Sequence, residues 1–171
     1  MTERTESPVM LWVQGILFTV LVPGVVAIWA PLAINGGQPL ATGAWRLGWI
    51  PLLAGVALYL RCLASFLATH GTPAIFFTRP LRFVLGEEPA ALVQGELYRF
   101  SRNPMYLAVV VTIFGQATLF ASRRIALYGV AVAIFFHLVV VLLEEPHLRA
   151  KQGETYDDYC RRVPRWLGLG R

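Results

Sequence analysis

Residues 104–146 read PMYLAVVVTIFGQATLFASRRIALYGVAVAIFFHLVVVLLEEP. Two apolar runs lie in this stretch, one from Pro104 to about Ala121 and one from Ile125 to Leu143. Only Ser122 and the pair Arg123-Arg124 separate them. Runs of roughly 20 apolar residues are what a helix needs to cross a bilayer. So short a connection forces two such helices into an antiparallel hairpin. Working outward, a second run covers Leu47 to Ala68, broken by Arg61, and a first covers Val9 to Ile34. Pro23-Gly24 predicts a kink in the first run, and the turn residues Asn35 to Pro39 end it.

The fold expected is an all-α integral membrane protein. It is a single membrane domain over residues 1–171, with four transmembrane helices at about 9–31, 47–69, 104–121 and 124–144, and a short amphipathic tail over 146–171. Composition agrees. The chain is 56% hydrophobic and 15% charged, against about 25% charged in a soluble domain. The first run is too long for the apolar part of a signal peptide and is read as a retained helix.

The net charge of +5 does not point to nucleic acid, because the basic residues sit between apolar runs. They set orientation instead. Arg4, the segment Arg79 to Arg102, and Arg149, Lys151, Arg161, Arg162 and Arg165 fall on one side. Arg46, Arg123 and Arg124 fall on the other. Both termini are therefore expected in the cytoplasm. The stretch from His70 to Arg102 mixes apolar residues with Pro, Arg and Gly and reads as a loop lying along the membrane surface. In the tail, Leu148, Tyr156, Tyr159, Val163 and Trp166 recur at helical spacings, predicting one or two short helices folded back on the core. Thr155 and Asp158 resemble a capping box.

Three places carry chemistry. In YRFSRNPMY (Tyr98 to Tyr106), Asn103 is pushed extended by Pro104 and is placed to cap the helix that Pro104 opens. Arg99 and Arg102 then stand beside a helix N-terminus, a site suited to a carboxylate or phosphate, or to anchoring at the lipid interface. Glu144 and Glu145 end the fourth run, where the helix dipole disfavours them. Neighbouring helical residues point about 100° apart, so one of the two faces inward. His137 lies two turns before Glu144, on the same face. Arg61 inside the second run faces a cavity or partner, or reaches for the interface. Cys62 and Cys160 read as free thiols with no metal-ligand spacing. No glycine-rich nucleotide loop, HExxH, GxSxG or paired CxxC occurs.

These motifs, in this order, resemble the isoprenylcysteine carboxyl methyltransferase family, itself related to the phospholipid N-methyltransferases. The resemblance runs through Gly95, Tyr98-Arg99, Arg102, Pro104 and Tyr106, then Glu144-Glu145-Pro146, Gly153, Tyr156, Tyr159 and Val163-Pro164-Arg165. His70 to Pro73 resembles a bacterial subgroup. Asn103 stands where the family has histidine, and Gln152 where it has Phe. The resemblance implies an S-adenosylmethionine-dependent methyltransferase of the bacterial inner membrane. Its acceptor would be lipophilic, a small molecule or a lipid-modified substrate, methylated on an isoprenoid or prenylcysteine-type carboxylate. It implies a cofactor pocket at Tyr98, Arg102, Asn103, Pro104, Tyr106, His137, Glu144 and Glu145, with Arg99, Arg102 and Glu144 nearest the reaction. Methyl transfer is a direct displacement that needs alignment more than acid–base groups, which fits a chain with no catalytic triad or metal site. The alternatives are a phospholipid N-methyltransferase, an NADPH-dependent enzyme like the sterol reductases, and a non-enzymatic membrane scaffold.

Overall fold

The computed structural model describes residues 8–69, 92 and 95–168, and among them it is entirely helical and turn. The loop expected over His70 to Arg102 falls mostly outside the described residues. The helices are α1 (Pro8–Thr19), α2 (Ala30–Asn35), α3 (Trp49–Ala68), α4 (Pro104–Leu119), α5 (Arg123–Val139), α6 (Glu145–Gln152) and α7 (Glu154–Arg162). Three continuous helical stretches are long and apolar enough to cross a membrane: Trp12–Asn35, Gly43–Ala68 and Arg123–Gln152. The fourth anticipated span, α4, is apolar but has 16 residues, short of the ~20 that a bilayer asks for.

Where a kink was expected at Pro23-Gly24, the chain instead widens into π-helical turns over Val20–Trp29, joining α1 to α2. Proline has no N–H to give and crowds the carbonyl behind it, and a wider turn relieves both. Gly24 lets that turn close, since a Cβ there would lie 3.0 Å from the Thr19 carbonyl oxygen. Other elements use the carbonyls of this segment. Tyr128 Oη on α5 donates to Val26 O at 2.9 Å, and Gln116 Nε2 on α4 donates to Ala27 O. Buried Gln116 and half-buried Tyr128 thus stitch the first span to α4 and α5. Gln116→Leu is expected to cost on the order of 1 kcal/mol, seen as a lowered unfolding temperature in detergent. Gly36, at φ 63°, ends α2.

The tightest packing is between α3 and α4. Gly48, Gly55 and Gly115 line this seam, and a Cβ on Gly55 would come 2.8 Å from the Ala108 carbonyl oxygen. Such small residues let two backbones touch in a membrane, where apolar burial does not itself drive helices together. Ile113, Ala108 and Ile125 are fully buried in the core that results. Residues 120–122 connect α4 to α5, which packs back on α4 with Gly129 opposite Ile113 and Phe114. Ser122 caps α5 by accepting from the Ile125 N–H.

The last span does not stop at Pro146. A π-helical turn, Val140–Glu144, leads into α6, and this wider turn just before Pro146 gives the proline ring room behind it, as at Pro23. Gly153, at φ 56°, separates α6 from α7. It also stands at the N-cap of α7, so the anticipated Thr155–Asp158 capping box does not form; Asp158 pairs with Arg161 instead. Tyr156, Tyr159 and Val163 form the buried face of α7, with Leu148 packed against them.

Candidate active site

The start of α4 and the end of the last span meet at one end of the bundle. Arg102 stands just before the α4 N-terminus and Tyr106 in the first turn of α4. Glu144 and Glu145 face them from the end of the last span. Tyr106 Oη donates to Glu144 Oε1. Arg102 Nη1 lies 3.1 Å from Glu145 Oε1. The expectation that only one glutamate faces inward is met in burial, for Glu145 is 3% exposed, yet both carboxylates are engaged. The π-helical turn just before Glu145 turns less per residue than an α-helix, which brings the two side chains closer in direction.

Glu145 holds the tail as well as α4. Arg165 grips it at both oxygens, Nε to Oε1 at 2.6 Å and Nη2 to Oε2 at 3.1 Å. This fork-on-fork pairing is the strong form of a charged hydrogen bond. It also raises the Arg165 pKa above its ordinary value. Arg149 approaches Glu145 Oε2 at 3.9 Å and bonds Asp157 at 3.2 Å. One buried carboxylate thus meets two close guanidinium groups and a third at its edge. Arg102 Nη1 also reaches Cys160 Sγ at 2.7 Å and Tyr156 Oη at 3.4 Å. Its Nε is buried and finds no partner among the described residues.

The backbone of the tail lies across the α4 N-terminus. Arg102 N–H donates to Pro164 O at 2.9 Å, and Asn103 Nδ2 donates to Arg165 O at 2.9 Å. Asn103 occupies the N-cap position but its side chain turns to the tail and makes no capping bond. Its own N–H is taken by Ser101 Oγ at 3.1 Å. Pro104 is buried in the first turn. Tyr98 is buried against Cys62, with Phe66 meeting its ring edge-on at 5.8 Å, and its carbonyl accepts from Tyr159 Oη at 2.7 Å. Burial pushes the Tyr156 and Tyr159 hydroxyls well above the ordinary phenol range, so both remain donors at neutral pH.

Arg102, Tyr106, Glu144 and Glu145 are therefore gathered in one place, with Asn103 and Pro104 shaping its floor. Arg99 and His137 are not brought into the cluster. Arg99 is exposed over the Phe100 ring, 5.7 Å from its centroid. His137 is exposed and its Nδ1 accepts from Trp166 Nε1 at 3.1 Å. The intervening π-helical turn breaks the two-turn spacing that put His137 and Glu144 on one face. Cys160 and Phe136 escaped the sequence reading. The Phe136 ring lies 4.6 Å from that of Tyr106, and nothing in an unbroken apolar run singles it out. Both cysteines are free thiols. No cluster able to hold a metal occurs among the described residues.

Residues 50–155 match the model of the phospholipid methyltransferase family. Neither a curated protein nor a solved structure matches the chain. The family match covers well over half the chain and spans α3, α4, α5 and most of the carboxylate–guanidinium cluster. With three apolar helices fit to cross a bilayer and the Arg102–Glu145 cluster at one end of the bundle, this integral membrane protein belongs to the phospholipid methyltransferase family, whose members are methyltransferases that use S-adenosylmethionine.

Proposed function

We propose that this chain transfers a methyl group from S-adenosylmethionine to a lipophilic acceptor, with a carboxylate of isoprenoid or prenylcysteine type as the acceptor group. The observation that carries the reading is the joining of Arg102, Tyr106, Glu144 and Glu145 into one cluster at the bundle end. The residues suit the cofactor. Arg102 keeps a buried Nε with no partner among the described residues, a donor suited to a carboxylate. Glu144, held through Tyr106, suits an ammonium or ribose hydroxyls. The paired rings of Tyr106 and Phe136 suit a sulfonium. S-adenosylmethionine supplies the activated methyl; the chain's own groups hold and align.

In this reading α4 is the fourth crossing and forms a membrane hairpin with α5. Both termini lie in the cytoplasm of a bacterial inner membrane. Asn103 and Tyr98 shape the pocket by positioning the tail and the α4 N-terminus, and Glu145 fixes Arg102. Arg99, exposed beside the cluster, faces the acceptor and supplies the charge that a carboxylate needs. A second reading, an amine acceptor on a phospholipid headgroup, fits the family match equally well.

Calorimetry on detergent-purified protein tests the cofactor. S-adenosylmethionine is expected to bind saturably, and Glu144→Gln or Arg102→Ala to weaken binding at least about tenfold, the effect of losing one charged hydrogen bond. Unchanged affinity in both variants would overturn the site. Methyl transfer from labelled cofactor to a farnesylcysteine analogue, set against phosphatidylethanolamine, separates the two acceptor readings. Binding of NADPH in place of S-adenosylmethionine would favour a reductase.

A further inference from the structure

Polar side chains buried between the spanning helices almost all have a local use. Gln116 and Tyr128 bind carbonyls of the first span, Thr112 bonds Ala108 O at 2.8 Å, and Thr19 Oγ1 and Tyr59 Oη share a hydrogen bond of 3.0 Å. Asn35 bonds Gln38 O at 2.7 Å. Gln14 is the exception. It is 3% exposed, on a helix whose neighbouring residues Trp12, Val13, Ile16 and Leu17 are open to the surroundings. Its Oε1 is buried and has no hydrogen-bond partner among the described residues. Packed inside the protein, out of reach of water, an unmet amide oxygen is costly and marks a function or a ligand.

Its position is informative. Gly15 packs against Leu63 and Leu67, and Thr19 bonds Tyr59, so α1 descends along α3 in the opposite sense. Gln14 is therefore level with the last turn of α3. At that level, on another face of α3, Phe66 meets Tyr98, which leads directly into the Arg102 cluster. Gln14 and the cluster thus flank the end of α3 at the same depth. This is the depth at which a bilayer lipid changes from chain to headgroup.

We infer that Gln14 Oε1 is the contact for a hydrogen-bond donor, a hydroxyl or an N–H, carried at the headgroup end of the lipid that this protein takes up. The inference rests on the proposed lipophilic acceptor. It adds a recognition point on the first span, which lies outside the residues of the family match.

Native mass spectrometry of the full chain tests it. The protein is released from micelles holding equal amounts of dioleoyl phosphatidylethanolamine, phosphatidylglycerol and phosphatidylcholine. The first offers an ammonium, the second hydroxyls, and the third no donor. The wild-type chain is expected to retain one of the first two about fivefold over phosphatidylcholine, the worth of one net hydrogen bond. Which of the two is retained identifies the source of the donor. Gln14→Leu is expected to bring that ratio to about one, with Gln14→Met as the second variant should the first fail to fold. Gln14→Glu, which keeps the acceptor and adds charge, is expected to shift retention toward phosphatidylethanolamine. No preference in the wild type, or an equal preference in the Leu or Met variant, overturns the inference. S-adenosylmethionine affinity measured on the same samples keeps the two readings apart. Its loss in the wild type would sink the methyltransferase assignment without touching the lipid result, and a normal affinity in Gln14→Leu is expected.

Discussion

Glu145→Ala is expected to detach the tail from the bundle and to cost on the order of 3 kcal/mol. The carboxylate is 4% exposed and is the shared partner of Arg102 and Arg165, themselves 10% and 34% exposed. Removing it leaves two guanidinium groups facing each other across a partly dry pocket, and breaking a buried pair from one side costs far more than the pair's net worth. The tail backbone bonds to Arg102 and Asn103 should loosen with it. Faster tryptic cleavage at Arg161 and Arg162 would report this, along with a changed Trp166 fluorescence. Glu144→Gln supplies the contrast. Glu144 is half-buried and accepts from Tyr106 Oη, a bond that the amide oxygen of Gln can also accept. That variant should keep its unfolding temperature and its resistance to trypsin while losing cofactor affinity. If the two variants behaved alike, the division between a structural and a ligand-facing glutamate would fail.

Gly115→Val is expected to do comparable damage by a different route. A Cβ at Gly115 would stand 2.7 Å from the Leu52 Cα, and one at Gly48 would stand 2.7 Å from the Gly115 carbonyl oxygen. These are backbone atoms on both sides, so no rotamer change makes room. The helices would have to separate, with loss of contacts along α3 and α4, for a cost on the order of 3 kcal/mol. Unfolding in detergent, followed by helical circular dichroism, should show a large fall in midpoint. Gly95→Ala is the control. A Cβ there meets nothing within 4 Å, and the change should stay within about 0.5 kcal/mol.

The apolar runs made three spans legible, because a bilayer demands length and little else. Pro104 marked a helix start for a reason of backbone chemistry that holds in any surroundings. The π-helical segments were not legible. In runs such as Val20–Trp29 and Val140–Glu144, almost every residue is apolar, so no alternation of polar and apolar positions records how the helix turns. That is why His137 and Glu144 read as sharing a face. The cluster was half legible. Arg102, Tyr106 and the glutamates stood out as polar groups at the edges of apolar runs. Asn103 looked like a cap, and only its tertiary partner, the Arg165 carbonyl, shows that its amide is spent elsewhere. Cys160 gave no signal, since its nearness to Arg102 depends on how α7 folds back after Gly153.

The turn at Val140–Glu144 carries a consequence for how this chain tolerates change in length. A π-turn holds one residue more than the α-turn it replaces. A chain lacking one residue there would relax to an ordinary α-helix, with Glu145 and everything after it keeping nearly the same direction. The same loss within the regular turns of α5 would rotate all that follows by about 100° and exchange the duties of the two carboxylates. The turn before Glu145 is thus a place where this span can shorten by one residue with Glu144 still at Tyr106 and Glu145 still at Arg102.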